Sequence, residues 1–249
     1  MPSRPVVLLW VLTMASAVAA QETTAARPRT IRTMQITSEA LRGVRTFGLL
    51  LPPDYGQSAR RYPVLYLLHG SGQRHSTWGR RTLLDRTTGA IVVMPDMDRA
   101  RYVVGDGRVD AAAESFLAKE LVDYIDSHYR TVAARQQRAI AGLSIGGFGS
   151  MLLGLRHTDR FGALGAFSAP LDGIGDPAAL PGMTDEATRP RLYVGCGFAD
   201  SLLPSSRRFA ALLEERGIER RYEEGPGAHT WEAWDWQLRS FLDMLAWRP

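Results

Sequence analysis

The chain has 249 residues, 45% of them apolar, which suits one sizeable core and excludes a disordered polymer. Its 30 basic and 26 acidic residues leave a net charge of +4, but the basic residues are scattered, so no stripe marks a nucleic-acid surface. Cys196 is the one cysteine, which excludes an internal disulfide and a cysteine-built zinc site.

In chain order, Arg4 precedes an apolar run from Val6 to Ala17, and small residues follow to Ala20. That sequence of charge, short apolar stretch and small residues predicts a secretory signal peptide over residues 1–20. The run is too short for a membrane span, so a secreted or periplasmic protein without a stable membrane anchor is expected. Residues 21–30 read as a polar leader, and residues 31–249 as one folded domain.

Thr33–Ser38 and Arg42–Leu51 read as strands without a helix between them, hence as antiparallel neighbours. Tyr62–His69 and Ala90–Met94 are nearly continuous apolar runs, the pattern of strands covered on both faces. Residues 112–129 form the clearest helix, with Leu117, Leu121, Tyr124, Ile125 and His128 at helical spacing. A strand at Arg138–Leu143 and a helix at Ile145–Leu155 follow. Further strands are expected at Ala163–Ser168, Arg191–Gly195 and Glu219–Glu224, and helices at Leu203–Arg216 and Thr230–Trp247. Strands alternating with helices predict an α/β fold: a mostly parallel sheet, antiparallel at its N-terminal strands, with helices on both faces. Ligand sites in such sheets lie at the C-terminal strand ends.

Gly142-Leu143-Ser144-Ile145-Gly146 matches Gly-x-Ser-x-Gly between a buried strand and a helix. A serine on that sharp turn presents its hydroxyl, and glycines two residues either side avoid collision with neighbouring backbone. A phosphate loop is the competing reading, but it needs a lysine before the hydroxyl residue, and none is present. Of the five histidines only His229 lies well downstream, in a loop between a strand and a helix, where a base could reach the serine. Asp200 follows the Arg191–Gly195 strand and is placed to hold the imidazole tautomer. Asp172, Asp176 and Asp185 compete for that role but lie in a Gly/Pro-rich connection and read as solvated loop residues.

Oxyanion donors are expected from the N–H of Ile145 and from the loop after His69, where Ser71 is the choice and Gly70 its nearest competitor. His69 reads as shaping that loop and His75 as a loop residue. His128 and His157 read as surface or packing residues, and Cys196 as a packed, inert thiol. Gly70 and Trp231 are candidate substrate contacts, although Trp231 and Trp234 fit a packing role equally well. Met94–Tyr102 is expected to line one wall, and the short Ala169–Pro190 connection predicts an open cleft.

The segments Phe47–Tyr55, Tyr62–Gly70, Phe116–Leu121, Ala139–Gly147, Phe161–Ser168 and His229–Trp234 resemble the putative esterase family of α/β-hydrolases. That family includes feruloyl and acetyl-xylan esterases, S-formylglutathione hydrolases, enterochelin esterases and mycolyltransferases. The resemblance spans roughly residues 40–246. It implies hydrolysis of a small-molecule or carbohydrate-linked carboxylic ester through Ser144, Asp200 and His229, with an oxyanion donor near Ser71. It implies no cofactor and no metal. Acyl transfer to an alcohol by the same triad is the alternative, and a non-catalytic binding protein on the same scaffold a third reading. The signal peptide argues against the cytosolic S-formylglutathione hydrolase branch.

Overall fold

The computed structural model describes residues 30–81, 84, 89–97, 102 and 110–247. The signal-peptide pattern of residues 1–20, the leader apart from Thr30, and residues 98–101 of the expected wall lie outside these residues.

Strands β1 (Arg32–Ser38) and β2 (Gly43–Leu50) pair antiparallel from Arg32↔Leu49 to Ser38↔Gly43. Strands β3 (Val64–Leu68), β4 (Ile91–Pro95), β5 (Arg138–Leu143), β6 (Ala163–Phe167), β7 (Arg191–Gly197) and β8 (Arg221–Gly225) complete the sheet. Its order is β1-β2-β4-β3-β5-β6-β7-β8, with β2 antiparallel to β4 and every later pairing parallel. The C-terminal ends of β3, β5, β6, β7 and β8 therefore share one edge of the molecule.

The helices are α1 (His75–Arg81), α2 (Ala111–Ser115), α3 (Leu121–His128), α4 (Ile145–Arg156), α5 (Leu203–Glu215) and α6 (Trp231–Leu245). The continuous apolar runs are explained by two cores, one on each face. Val64, Tyr66 and Leu68 of β3 point into one, with Leu121 and Ile125 of α3, Met151 and Leu155 of α4, and Phe209 of α5. Leu65 and Leu67 point into the other, against Trp78 of α1 and Trp234, Leu238 and Phe241 of α6.

The helix expected over residues 112–129 is not uniform. Asp110 caps α2 by accepting from the Ala112 and Ala113 N–H groups, and a π-helical turn at Phe116–Glu120 then joins it to α3. That turn buries Phe116, Leu117 and Ala118 in succession. His75 heads α1 instead of lying in a loop. Seven residues with a glycine inside carry no readable apolar period, and α1 is set by Asp96, whose carboxylate accepts from the His75 N–H and from its ring Nδ1 at 2.7 Å.

Candidate active site

Ser144 lies between β5 and α4 with φ 55° and ψ −126°, a conformation costing a non-glycine residue on the order of 1–3 kcal/mol. Neighbouring backbone enforces the turn. A Cβ on Gly146 would stand 2.5 Å from the carbonyl oxygens of Leu68 and His69, and one on Gly142 would stand 2.5 Å from the Gly146 carbonyl. The glycine spacing read from the sequence thus has a steric cause at both positions.

The loop after β8 carries His229, and the turn after β7 carries Asp200. The two loops are joined by the Ala199 N–H, which donates to the Gly227 carbonyl at 3.0 Å. His229 Nε2 lies 3.0 Å from Ser144 Oγ, and its Nδ1 lies 2.9 Å from Asp200 Oδ2. The Asp200 side chain is 0% exposed, whereas that of His229 is 36% exposed. Asp200 Oδ1 also accepts from the Leu202 N–H at 2.9 Å, which fixes the carboxylate plane. A carboxylate only accepts, so Nδ1 carries the proton and Nε2 is left to receive one from Ser144. The His229 ring stands edge-on to Trp234 at 5.1 Å between centroids. Three side chains 29 to 85 positions apart in sequence thus form one hydrogen-bonded line.

The loop after β3 faces Ser144. A Cβ on Gly70 would lie 3.4 Å from Ser144 Cβ. His69 is buried and braces this loop: its Nδ1 lies 2.8 Å from the Gly70 carbonyl, and its Nε2 accepts the Met97 N–H at 3.0 Å. Accepting at Nε2 needs a neutral ring with its proton on Nδ1, and burial pushes the His69 pKa down in that direction. The Tyr102 hydroxyl donates to the His69 carbonyl at 3.0 Å. The Gly70 N–H donates to Gln73 Oε1 at 3.1 Å, so Gly70 is not a free donor. The N–H groups of Ser71 and of Ile145 have no partner among the described residues; that of Ile145 belongs to the first turn of α4, where none is available within the helix.

Of the expected wall, Met94, Met97 and Tyr102 are buried: the Met97 N–H and the Tyr102 hydroxyl hold His69, Met94 packs in the core with Trp78, and Asp96 is taken up by His75. Trp231 is half-buried, edge-on to Trp78 at 5.6 Å and to Trp234 at 5.2 Å. His128 stacks on Tyr124 at 3.9 Å, His157 pairs with Glu114 at 2.8 Å, and Cys196 is buried with its pKa raised by desolvation. Residues 171–188 fold into four short 3₁₀ turns, two of them capped by Asp176 and Asp185, while Asp172 pairs with Arg208. None of these carboxylates approaches His229.

A cavity of about 430 Å³ opens at the opposite end of the sheet, beside Arg191 and Arg221 at the starts of β7 and β8. Arg191 there donates to the last carbonyls of α6, and Arg221 pairs with Glu223, so this cavity holds no part of the Ser144 site. Among the described residues, no three His, Cys, Asp or Glu side chains are grouped to hold a metal ion, and no helix is long and apolar enough to cross a membrane. Sequence reasoning missed Gln73, His75, Asp96 and the Met97 amide. They act through side-chain bonds to backbone and, for His75 and Asp96, to each other, which no spacing rule announces.

The family model described as "Putative esterase" matches residues 38–245. An esterase of Mycobacterium tuberculosis is 36% identical over 129 residues, which is 49% of this chain and 28% of that protein. The chain thus spans under a third of that relative's length. An acetyl esterase of Caldicellulosiruptor saccharolyticus is 26% identical over 221 residues, covering 74% of this chain and 83% of that protein. A solved ferulic acid esterase superposes with a TM-score of 0.76 at 28% identity, covering 87% of this chain and 98% of its own. The chain is a member of the putative esterase family and has the α/β-hydrolase fold of that family.

Proposed function

We propose that the protein is an exported serine carboxylic-ester hydrolase acting on short-chain, aryl or carbohydrate-linked esters. The observation that carries this reading is the line Ser144 Oγ, His229 Nε2 and Nδ1, Asp200 Oδ2, with both links at hydrogen-bond length. As Ser144 Oγ attacks the ester carbonyl, its proton passes to His229 Nε2. Asp200 holds the imidazolium that forms and does not itself take the proton. The tetrahedral oxyanion is stabilised by the Ile145 and Ser71 N–H groups. Collapse breaks the bond to the leaving alcohol, which takes the proton from His229 and leaves an acyl-Ser144 ester. Water then attacks that ester with His229 again as base, and the carboxylic acid departs as Ser144 regains its proton.

Gly70 lets its loop pack directly on Leu143 and Ser144, which keeps it beside the reacting carbonyl as a candidate substrate contact. Trp231, half-buried between Trp78 and Trp234 and one ring removed from His229, is the candidate substrate contact from α6. The acetyl and ferulic acid esterases among the relatives support an acyl group between acetate and a phenylpropenoate. Export rests on the sequence of residues 1–20.

The test is a panel of p-nitrophenyl acetate to hexanoate, methyl ferulate and acetylated xylan, run with and without an added acceptor alcohol. Free acid as the main product supports hydrolysis, and transfer to the alcohol as the main product identifies an acyltransferase. Protein inert across the panel refutes both. Export is tested by N-terminal sequencing of the mature protein, which should begin near Gln21.

A further inference from the structure

The Gly70–Ser71 segment is held more tightly than a surface loop requires. The Gly70 carbonyl faces two donors, His69 Nδ1 at 2.8 Å and the Gln73 N–H at 3.2 Å. The amide on the other side of Gly70 is also held, because its N–H donates to Gln73 Oε1 at 3.1 Å. Gln73 therefore grips Gly70 twice, through backbone and side chain, and His69 adds a third contact from the buried side.

Two consequences follow from peptide geometry. The carbonyl of Gly70 and the N–H of Ser71 belong to one trans peptide and point in opposite directions. Two donors on the carbonyl therefore aim the Ser71 N–H away from His69 and Gln73, and it has no partner among the described residues. The Gly70 N–H is the other amide that could compete, since Gly70 is the residue whose missing Cβ would approach Ser144. A glutamine side-chain oxygen is an acceptor only, so while Oε1 holds that amide it cannot turn to a developing oxyanion.

The geometry points to Gln73 as a positioning residue of the ester hydrolase: its side chain removes the Gly70 N–H from competition and leaves the Ser71 N–H as the loop's oxyanion donor. This rests on the reading of Ser144 as nucleophile. Gln73 touches no reacting atom in this role. It sets which amide does, and how sharply that amide is aimed. A donor free to swing between two orientations stabilises the transition state less than a fixed one, without changing how the ground-state ester binds.

The test is Gln73→Met, which keeps the side-chain length and removes the acceptor, measured beside Ser144→Ala. In Q73M kcat for p-nitrophenyl acetate should fall roughly 10-fold or more with KM within about 2-fold, and phenylboronic acid, a tetrahedral mimic, should bind weaker by about the factor lost in kcat/KM. Hydrogen exchange at the Gly70 amide should quicken while the far-ultraviolet spectrum is unchanged. Folded Q73M with kcat and boronate affinity both near the parent's, alongside an inactive S144A, overturns the role of Gln73 and leaves the nucleophile standing. An active S144A overturns the nucleophile instead. If Q73M does not fold, Gln73→Glu decides, since it keeps an acceptor oxygen at the same reach. Slow Gly70 exchange in folded Q73E supports the grip, and exchange as fast as in an exposed loop refutes it.

Discussion

Replacing Ser144 by glycine should abolish activity and give a protein more stable than the alanine variant. The native residue stands at φ 55°, ψ −126°, held there by the Gly142 and Gly146 contacts and by its own N–H, which donates to the Phe167 carbonyl at 2.8 Å. Strain of this kind amounts to about 1–3 kcal/mol for a side chain-bearing residue and is absent for glycine. Glycine adds unfolded-state freedom worth about 0.4–1 kcal/mol in the opposite sense, leaving a net gain of about 0.5–2 kcal/mol. For a domain of this size that is a rise in Tm of about 1–8 °C. The comparison to make is S144G against S144A. Both lose the contact to His229, and only alanine keeps the strain. Calorimetry or circular-dichroism melts at one pH and scan rate suffice. S144G melting at or below S144A would refute the claim that the elbow stores strain.

Asp200→Asn should leave the fold intact and lower kcat by a factor on the order of 10⁴, because an amide in place of Oδ2 no longer holds the Nδ1–H tautomer of His229; a loss under about 10-fold in steady-state assays removes Asp200 from the triad. Glu224 accepts two bonds from Arg207 and one from Tyr222, and these hold its carboxyl at about 2, below the ordinary 4.5. A depressed acid stabilises the fold above the unfolded value and loses that contribution as pH falls through the folded one. E224Q should therefore be less stable than the parent at pH 7, with the gap closing between pH 4.5 and about 2; a pH-independent gap in urea titrations contradicts this. Cys196 is buried with its thiol pushed up by desolvation, so Ellman's reagent should react only on unfolding, and prompt reaction of the native protein would place the thiol at the surface.

The elbow was legible because its chemistry is local: five residues between a buried strand and a helix specify one turn. His229 and Asp200 were legible through chain order and the strand ends that carry them. Boundaries were less so, for physical reasons. Tyr62–His69 reads as one strand, yet β3 is only Val64–Leu68, since Pro63 cannot donate to a ladder and the His69 ring turns to the Gly70 carbonyl. Arg191–Gly195 looks complete at its glycine, yet β7 continues to Gly197, because β8 pairs along it through Gly197↔Gly225. Helix α1 and the π turn depend on partners distant in sequence, Asp96 in one case and the core on one sheet face in the other. The hold of Gln73 on Gly70 is local, a turn closed over three residues, but no residue pattern marks its side-chain bond in advance.

The most direct test of the account is stoichiometric labelling with a fluorophosphonate, read by intact mass and peptide mapping. One adduct per chain on Ser144 is expected, absent in S144A and formed more slowly in H229A. An adduct mapped to another residue, or labelling of S144A at the parent's rate, would contradict the assignment of Ser144 as the nucleophile.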